Sequence, residues 1–210
     1  MSGLKYYVID LETTGLSSKY QEVTEISIIK CETKVQLTEL VRCEYPERAN
    51  IDSLAITKKT LADLDKGISK EQAVERVNKF LNEDGLTPAH RCFIGHNINF
   101  DMRFIKALYE KVGQRCPVDL YLCTMALSKD YAKKQGIVKP KVNLQAACEL
   151  LGVKRLTGAH ASKVDSRNTY LLWENLVKEK GIDHLPFIKT SQHILSSSNE
   201  EQGLDPDLLD

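Results

Sequence analysis

The chain has 210 residues, and 29 Lys and Arg balance 29 Asp and Glu, so its formal net charge at pH 7 is zero. A chain of this length is expected to form one domain with a sizeable core, and no apolar run approaches the roughly 20 residues needed to span a bilayer. With no visible signal peptide, and with six cysteines (31, 43, 92, 116, 123 and 148) that form no Cys-x-x-Cys pair, a soluble intracellular protein with reduced thiols is expected rather than a disulfide framework or a zinc site.

The first strand signal, at 4–10, runs into Asp10-Leu11-Glu12-Thr13-Thr14-Gly15-Leu16. Side chains alternate across a strand, so Asp10 and Glu12 share one face while Ile9 and Leu11 share the other. Two like charges side by side repel unless a cation or a proton intervenes, although an Asp-x-Glu pair alone also fits a solvated strand end. Strand signals at 23–31 and 36–44 follow closely and predict an antiparallel meander. Helical periodicity at 57–64 and 69–83 leads to a strand at 91–96 and a helix at 99–112. Asp101 falls in that helix's first turn behind Asn99, a candidate N-cap, so taken singly it is explained by the helix dipole. A strand at 119–123 and helices at 124–135, 143–151 and 164–180 complete the pattern. The last helix opens on Asp165, with His160 five residues earlier, after the turn-like Thr157-Gly158. Helices alternating with strands after a meander give an α/β sheet covered by helices.

Charge is unevenly placed. No Lys or Arg follows Lys189, whereas Glu200, Glu201, Asp205, Asp207 and Asp210 do, so residues 1–189 hold 29 basic against 24 acidic groups, a net of +5. Lys129, Lys133, Lys134, Lys139 and Lys141 crowd the segment before the last acid, with Lys154, Arg155, Lys163 and Arg167 around it. Such a run is either a solvated face or a phosphate track. The expected organisation is one domain over 1–189 and an acidic, flexible tail over 190–210. The tail's Leu204, Leu208 and Leu209 could dock on a partner protein, or the tail could simply solubilise the chain.

Taken jointly, these residues carry a resemblance. Asp10-Leu11-Glu12-Thr13-Thr14-Gly15, His96-Asn97-Ile98-Asn99-Phe100-Asp101, and His160 followed by Asp165 resemble the three motifs of the DEDDh, or DnaQ-like, 3′–5′ exonucleases, the family that includes the proofreading subunit of bacterial DNA polymerase III. The sister branch has a tyrosine four residues before its last acid, a position held here by Ala161. Ile56-Thr57 with Leu61, and Asn143-Leu144 with Ala147, Leu150, Leu151, Gly152 and Val153, are also similar to the family, and the resemblance covers roughly residues 4–178. Ser162 and Lys163 depart mildly, at places expected to be small or apolar.

The resemblance implies a ribonuclease-H-like fold, with a mixed central sheet and helices on both faces. It also implies two divalent cations, Mg²⁺ or Mn²⁺. Asp10 would bridge both, Glu12 and Asp165 would complete the site of the nucleophilic water, Asp101 would support the second cation, and His160 would act as general base. Hard cations take oxygen ligands, and a paired site can activate water, neutralise the phosphoryl group and stabilise the leaving oxygen. An imidazole titrating near neutrality suits the base. Thr13, Thr14, Gly15 and Leu16 would meet the terminal nucleotide, and Asn97 a backbone phosphate. Leu16 could equally be core, Gly15 is read as serving a turn, and His96 as a structural hydrogen-bonding residue. The expected substrate is the 3′ end of single-stranded or frayed DNA, cut to nucleoside 5′-monophosphates. RNA trimming, a non-catalytic nucleic-acid or polymerase-binding module, and hydrolysis of free nucleotides remain as alternatives.

Overall fold

The computed structural model of the chain describes residues 3–157 and 161–194. Its spine is a six-stranded mixed sheet in the order β3-β2-β1-β4-β5-β6. β1 (Lys5–Thr13), β2 (Val23–Lys30) and β3 (Gln36–Leu40) form the expected antiparallel meander. On the other side of β1, β4 (Arg91–Gly95) and β5 (Leu120–Cys123) run parallel to it. The edge strand β6 (Lys189–Thr190) pairs antiparallel with β5. Two residues are too few to leave an alternating pattern, so sequence could not announce β6. The described fold thereby continues to Ile194, past the boundary expected at 189. The Ser191 N–H donates to the Asp119 carbonyl at 2.7 Å, and Lys106 Nζ donates to the carbonyls of Ser191 and Ile194 at 2.8 and 2.7 Å. The tail leucines lie outside the described residues.

Helices cover both faces. Tyr7, Ile9 and Leu11 of β1 pack in a core with Val74, Val77 and Phe80 of α2 (Lys70–Asn82) and Met102, Phe104 and Ile105 of α3 (Asn99–Lys111). Val8 faces the other way, into a core with Leu127 of α4 (Thr124–Lys134), Ala147 and Leu151 of α5 (Leu144–Leu151), and Leu172 and Trp173 of α6 (Ser162–Glu174). A π turn over Asn175–Glu179 extends α6. By strand alternation Asp10 and Glu12 continue the Val8 face, beneath α6. Among the described residues no helix is long and apolar enough to cross a membrane.

Three boundaries differ from expectation. The helix read at 57–64 is α1 (Ile51–Thr57), followed by a single 3₁₀ turn over Leu61–Asp63. Asn50 caps α1 by accepting the Ser53 N–H at 3.0 Å, and Lys58 ends it in the left-handed conformation, φ 55°. The strand expected to reach 44 stops at Leu40, because Val41 already bridges to Ile68. Asn99 is not the N-cap of α3: Ile98 is, without a side-chain cap.

Candidate active site

β1 carries the first two acids into position. Asp10 lies opposite Ser27 of β2 and Glu12 opposite Glu25, after which the ladder slips and Thr13 pairs with Val23. Asp101 arrives from α3 because the β4–α3 connection is tight. A Cβ on Gly95 would sit 2.7 Å from Ile98 Cδ1 and 3.3 Å from the Ile9 carbonyl. The following Asn97 turns the chain at φ 64°, a conformation asparagine tolerates. Asp101 is buried, and its Oδ1 accepts the Leu11 N–H at 3.1 Å, which pins α3 to the strand between the two acids.

Asp165 comes from the first turn of α6. That helix meets the sheet through small polar side chains, so it can approach closely. Ser166 Oγ lies 2.9 Å from Ser27 Oγ, and Ser162 Oγ donates to Glu25 Oε1 at 2.7 Å. The Gln36 amide adds donations to both Ser27 and Ser166 at 2.9 and 3.0 Å. Asn168, one turn on and fully buried, accepts the Leu156 N–H at 2.8 Å and so fixes the loop leading to the last motif. His160 lies outside the described residues.

Asp10, Glu12, Asp101 and Asp165 are therefore brought within electrostatic reach of one another around the C-terminal half of β1, with Asp101 on the helix that covers one face of the sheet and Asp165 on the helix that covers the other. Their electrostatics are those of an overcrowded acidic site. Burial holds the Asp10 carboxyl well above the usual carboxylate range, and Asp101, Glu12, Asp165 and Glu25 push it further. Burial likewise pushes Asp101 up to about 8, against the hydrogen bond from Leu11. Glu12 is pushed to about 7 by burial; Lys59 opposes the rise, while Glu25 and Asp165 add to it. Such repulsion among oxygen donors is what hard divalent cations relieve, so the donor set fits them. Among the described residues, however, no three His, Cys, Asp or Glu close into a ready-made cage. The acids perturb one another across the site while two have protein partners: Asp101 takes the Leu11 N–H, and Asp165 Oδ1 lies 3.5 Å from Arg155 Nη2.

The loop after Glu12 is held from within. Thr13 Oγ1 donates to the Gly15 carbonyl at 2.7 Å. Thr14 is 1% exposed, its hydroxyl accepts the Glu22 N–H, and its own N–H and carbonyl bond Glu22 and Asn50. Thr14 thus shapes the loop through its hydroxyl and both of its backbone groups. Gly15 has no positive φ; what it supplies is space, since a Cβ there would lie 2.5 Å from Gln21 Cγ. Leu16 is 46% exposed, which removes its reading as core. Both nitrogens of His96 are engaged, Nδ1 at 2.9 Å from Thr124 Oγ1 and Nε2 at 2.7 Å from the Val142 carbonyl, so it is a structural residue as expected.

Four residues at the site were not singled out as site members from sequence: Glu25, Lys59, Ser162 and Arg155. Glu25 left a faint signal, an acid inside the otherwise apolar run Val23-Thr24-Glu25-Ile26-Ser27-Ile28-Ile29. The role of Lys59 depends on a contact to Glu25 across 34 positions and had no local trace.

The family model for exonucleases matches residues 7–173, and the chain belongs to this exonuclease family, whose DnaQ-like members are 3′–5′ exonucleases. These enzymes are generally dependent on divalent metal. Among curated proteins it is similar to the PolC-type DNA polymerase III of Staphylococcus saprophyticus, 28% identical over 176 residues, and of Staphylococcus aureus, 27% over 178 residues. Each match covers 83% of this chain, which spans about 11% of the length of these relatives. Its α/β sheet has the ribonuclease-H-like fold seen in cell-death related nuclease 4 (TM-score 0.70, 12% identity, 83% of this chain and 64% of that one). The same fold is found in the nuclease domain of 3′hExo, a DEDDh family member, bound to rAMP (TM-score 0.66, 16% identity, 86% and 94% covered). E. coli exonuclease I in complex with a dT13 oligonucleotide shares it too (TM-score 0.69, 15% identity, 87% and 42% covered).

Proposed function

We propose that this chain hydrolyses phosphodiester bonds one at a time from the 3′ end of single-stranded or frayed DNA, releasing nucleoside 5′-monophosphates, with Mg²⁺ or Mn²⁺ held by Asp10, Glu12, Asp101 and Asp165. The observation that carries this reading is the convergence of these four acids, from β1, α3 and α6, around the C-terminal half of β1, where burial and repulsion raise Asp10, Glu12 and Asp101. Bound there, a pair of such cations supplies an activated water and charge neutralisation at the phosphoryl group. The chain's own residues do the rest. His160 takes the proton of the attacking water. The backbone of Thr13 and Gly15 and the exposed Leu16 side chain bound the terminal nucleotide, with Asn97 on a backbone phosphate. The exposed Lys129, Lys133, Lys139 and Lys141 offer the strand a basic approach. The similarity to bacterial DNA polymerases favours DNA and a polymerase or clamp as the partner of Leu204, Leu208 and Leu209.

The test is incubation of 5′-labelled DNA and RNA strands with Mg²⁺ or Mn²⁺ and sizing of the products. A ladder shortening from the 3′ end of DNA, blocked by a 3′-phosphate and stopped by chelation, is expected. Preferential shortening of RNA would make the enzyme an exoribonuclease, and cutting of closed circles would contradict a purely exonucleolytic reaction.

A further inference from the structure

Glu25 is a fifth acid at the site, itself buried, and it is placed where it should do harm. It lies directly opposite Glu12 in the β1–β2 register, and each residue is 8% exposed. Like charges facing each other across a strand pair destabilise it, more so when desolvated. Both Glu25 oxygens are answered within the protein. Ser162, at the start of α6, donates to Oε1 at 2.7 Å, and Lys59 Nζ lies 3.2 Å from Oε2 and 3.1 Å from Thr24 Oγ1.

Lys59 is itself built into place. The left-handed Lys58 ends α1, and the Lys59 N–H returns to the Leu54 carbonyl at 3.0 Å, so the side chain points inward from a helix whose Ile51 and Ile56 are exposed. Its side chain is only 15% exposed, unusual for a lysine with no role. Because Glu25 faces Glu12 across the strand pair, the ammonium that Glu25 holds sits next to a site acid as well as on its partner.

We propose that Lys59, seated by Glu25 and Ser162, is a positioning residue of the active site, a resident cation that steadies Glu12 and moderates the pull of the acidic cluster on divalent metal. This rests on the reading of the four acids as metal ligands. The pair works by balance: Glu25 holds the ammonium beside Glu12, and the ammonium cancels the charge that Glu25 adds. Ser162 is the third member of the arrangement because its hydroxyl orients Glu25.

The test is calorimetric Mn²⁺ binding to the full chain without substrate, alongside thermal unfolding in chelator. Lys59→Met leaves Glu25 unbalanced and should bind Mn²⁺ about five- to tenfold more tightly, as expected for one unit charge removed near a partly desolvated site. Glu25→Gln leaves Lys59 unbalanced and should bind Mn²⁺ more weakly by a similar factor, and the double variant should return close to wild type. Lys59→Arg, which keeps the charge, should bind like wild type. A merely structural salt bridge would lower the unfolding temperature of Lys59→Met and Glu25→Gln and leave both Mn²⁺ affinities at the wild-type value, which would overturn the proposal alone. Failure of the wild-type chain to bind Mn²⁺ would overturn it together with the metal-ligand reading.

Discussion

The two faces of β1 answer to different physics. On one, Tyr7, Ile9 and Leu11 close a dry core against α2 and α3. On the other, apolar packing at Val8 gives way within two residues to Asp10 and Glu12, and α6 crosses there through serine hydroxyls rather than aliphatic side chains. One face holds the strand in place, and the other concentrates charge that the fold must restrain. Removing a side chain from the first should therefore cost stability, and removing one from the second should cost activity.

The largest expected effect is on turnover. Asp10→Ala should lower Mn²⁺-dependent cleavage by about 10³-fold or more, the loss expected when metal-centred stabilisation worth several kcal/mol disappears. Circular dichroism and unfolding in chelator should show a fold as stable as wild type or more so. Next is His160→Ala, which should lose about 10²- to 10⁴-fold in turnover while keeping Mn²⁺ affinity, the usual share of a positioned base. Ile9→Ala should reverse the pattern. Deleting this fully buried side chain should cost about 2–5 kcal/mol in denaturant unfolding, with near-normal turnover at temperatures where the protein stays folded.

A pH effect separates the faces without mutation. Asp101 at about 8 and Glu12 at about 7 are raised above ordinary carboxylate values, so the folded, metal-free protein binds more protons than the unfolded chain. The stability this confers is complete below pH 4 or so and is lost as pH rises through 7 to 8. Unfolding temperatures in chelator should accordingly fall between pH 6 and pH 8.5, and Mn²⁺ should restore much of the loss at the upper end. A profile flat over that range would place the acids in solvent. The smallest effect belongs to the tail. Deleting residues 195–210 should leave cleavage of short oligonucleotides unchanged, whereas deletion from 189 should lower the unfolding temperature, because it removes β6 and the carbonyls that Lys106 grips.

Much of this division was legible in the sequence, and the exceptions have physical causes. Strand alternation put Asp10 and Glu12 on one face, and helix first turns accounted for Asp101 and Asp165 individually; their joint spacing pointed to one site. Periodicity misplaced α1 because its start depends on a cap at Asn50 and its end on the backbone conformation of Lys58, neither of which is a hydrophobic signal. That the Thr14 hydroxyl accepts the Glu22 N–H, and that Gly15 leaves room for Gln21 rather than adopting a positive φ, depend on contacts across the loop that no local pattern carries. Glu25 and Lys59 escaped because their meaning lies in a contact that neither local pattern carries.

The central claim is the proposal that Asp10 and Glu12 on the polar face of β1 belong to a mutually repulsive carboxylate cluster that binds divalent metal. It is tested most directly by comparing the thermal unfolding of wild type and Asp10→Asn at pH 8, in chelator and with Mn²⁺. The account predicts that Asp10→Asn unfolds at a higher temperature than wild type in chelator and gains little from Mn²⁺, whereas wild type gains strongly. An Asp10→Asn protein less stable than wild type in chelator, with an undiminished response to Mn²⁺, would contradict it.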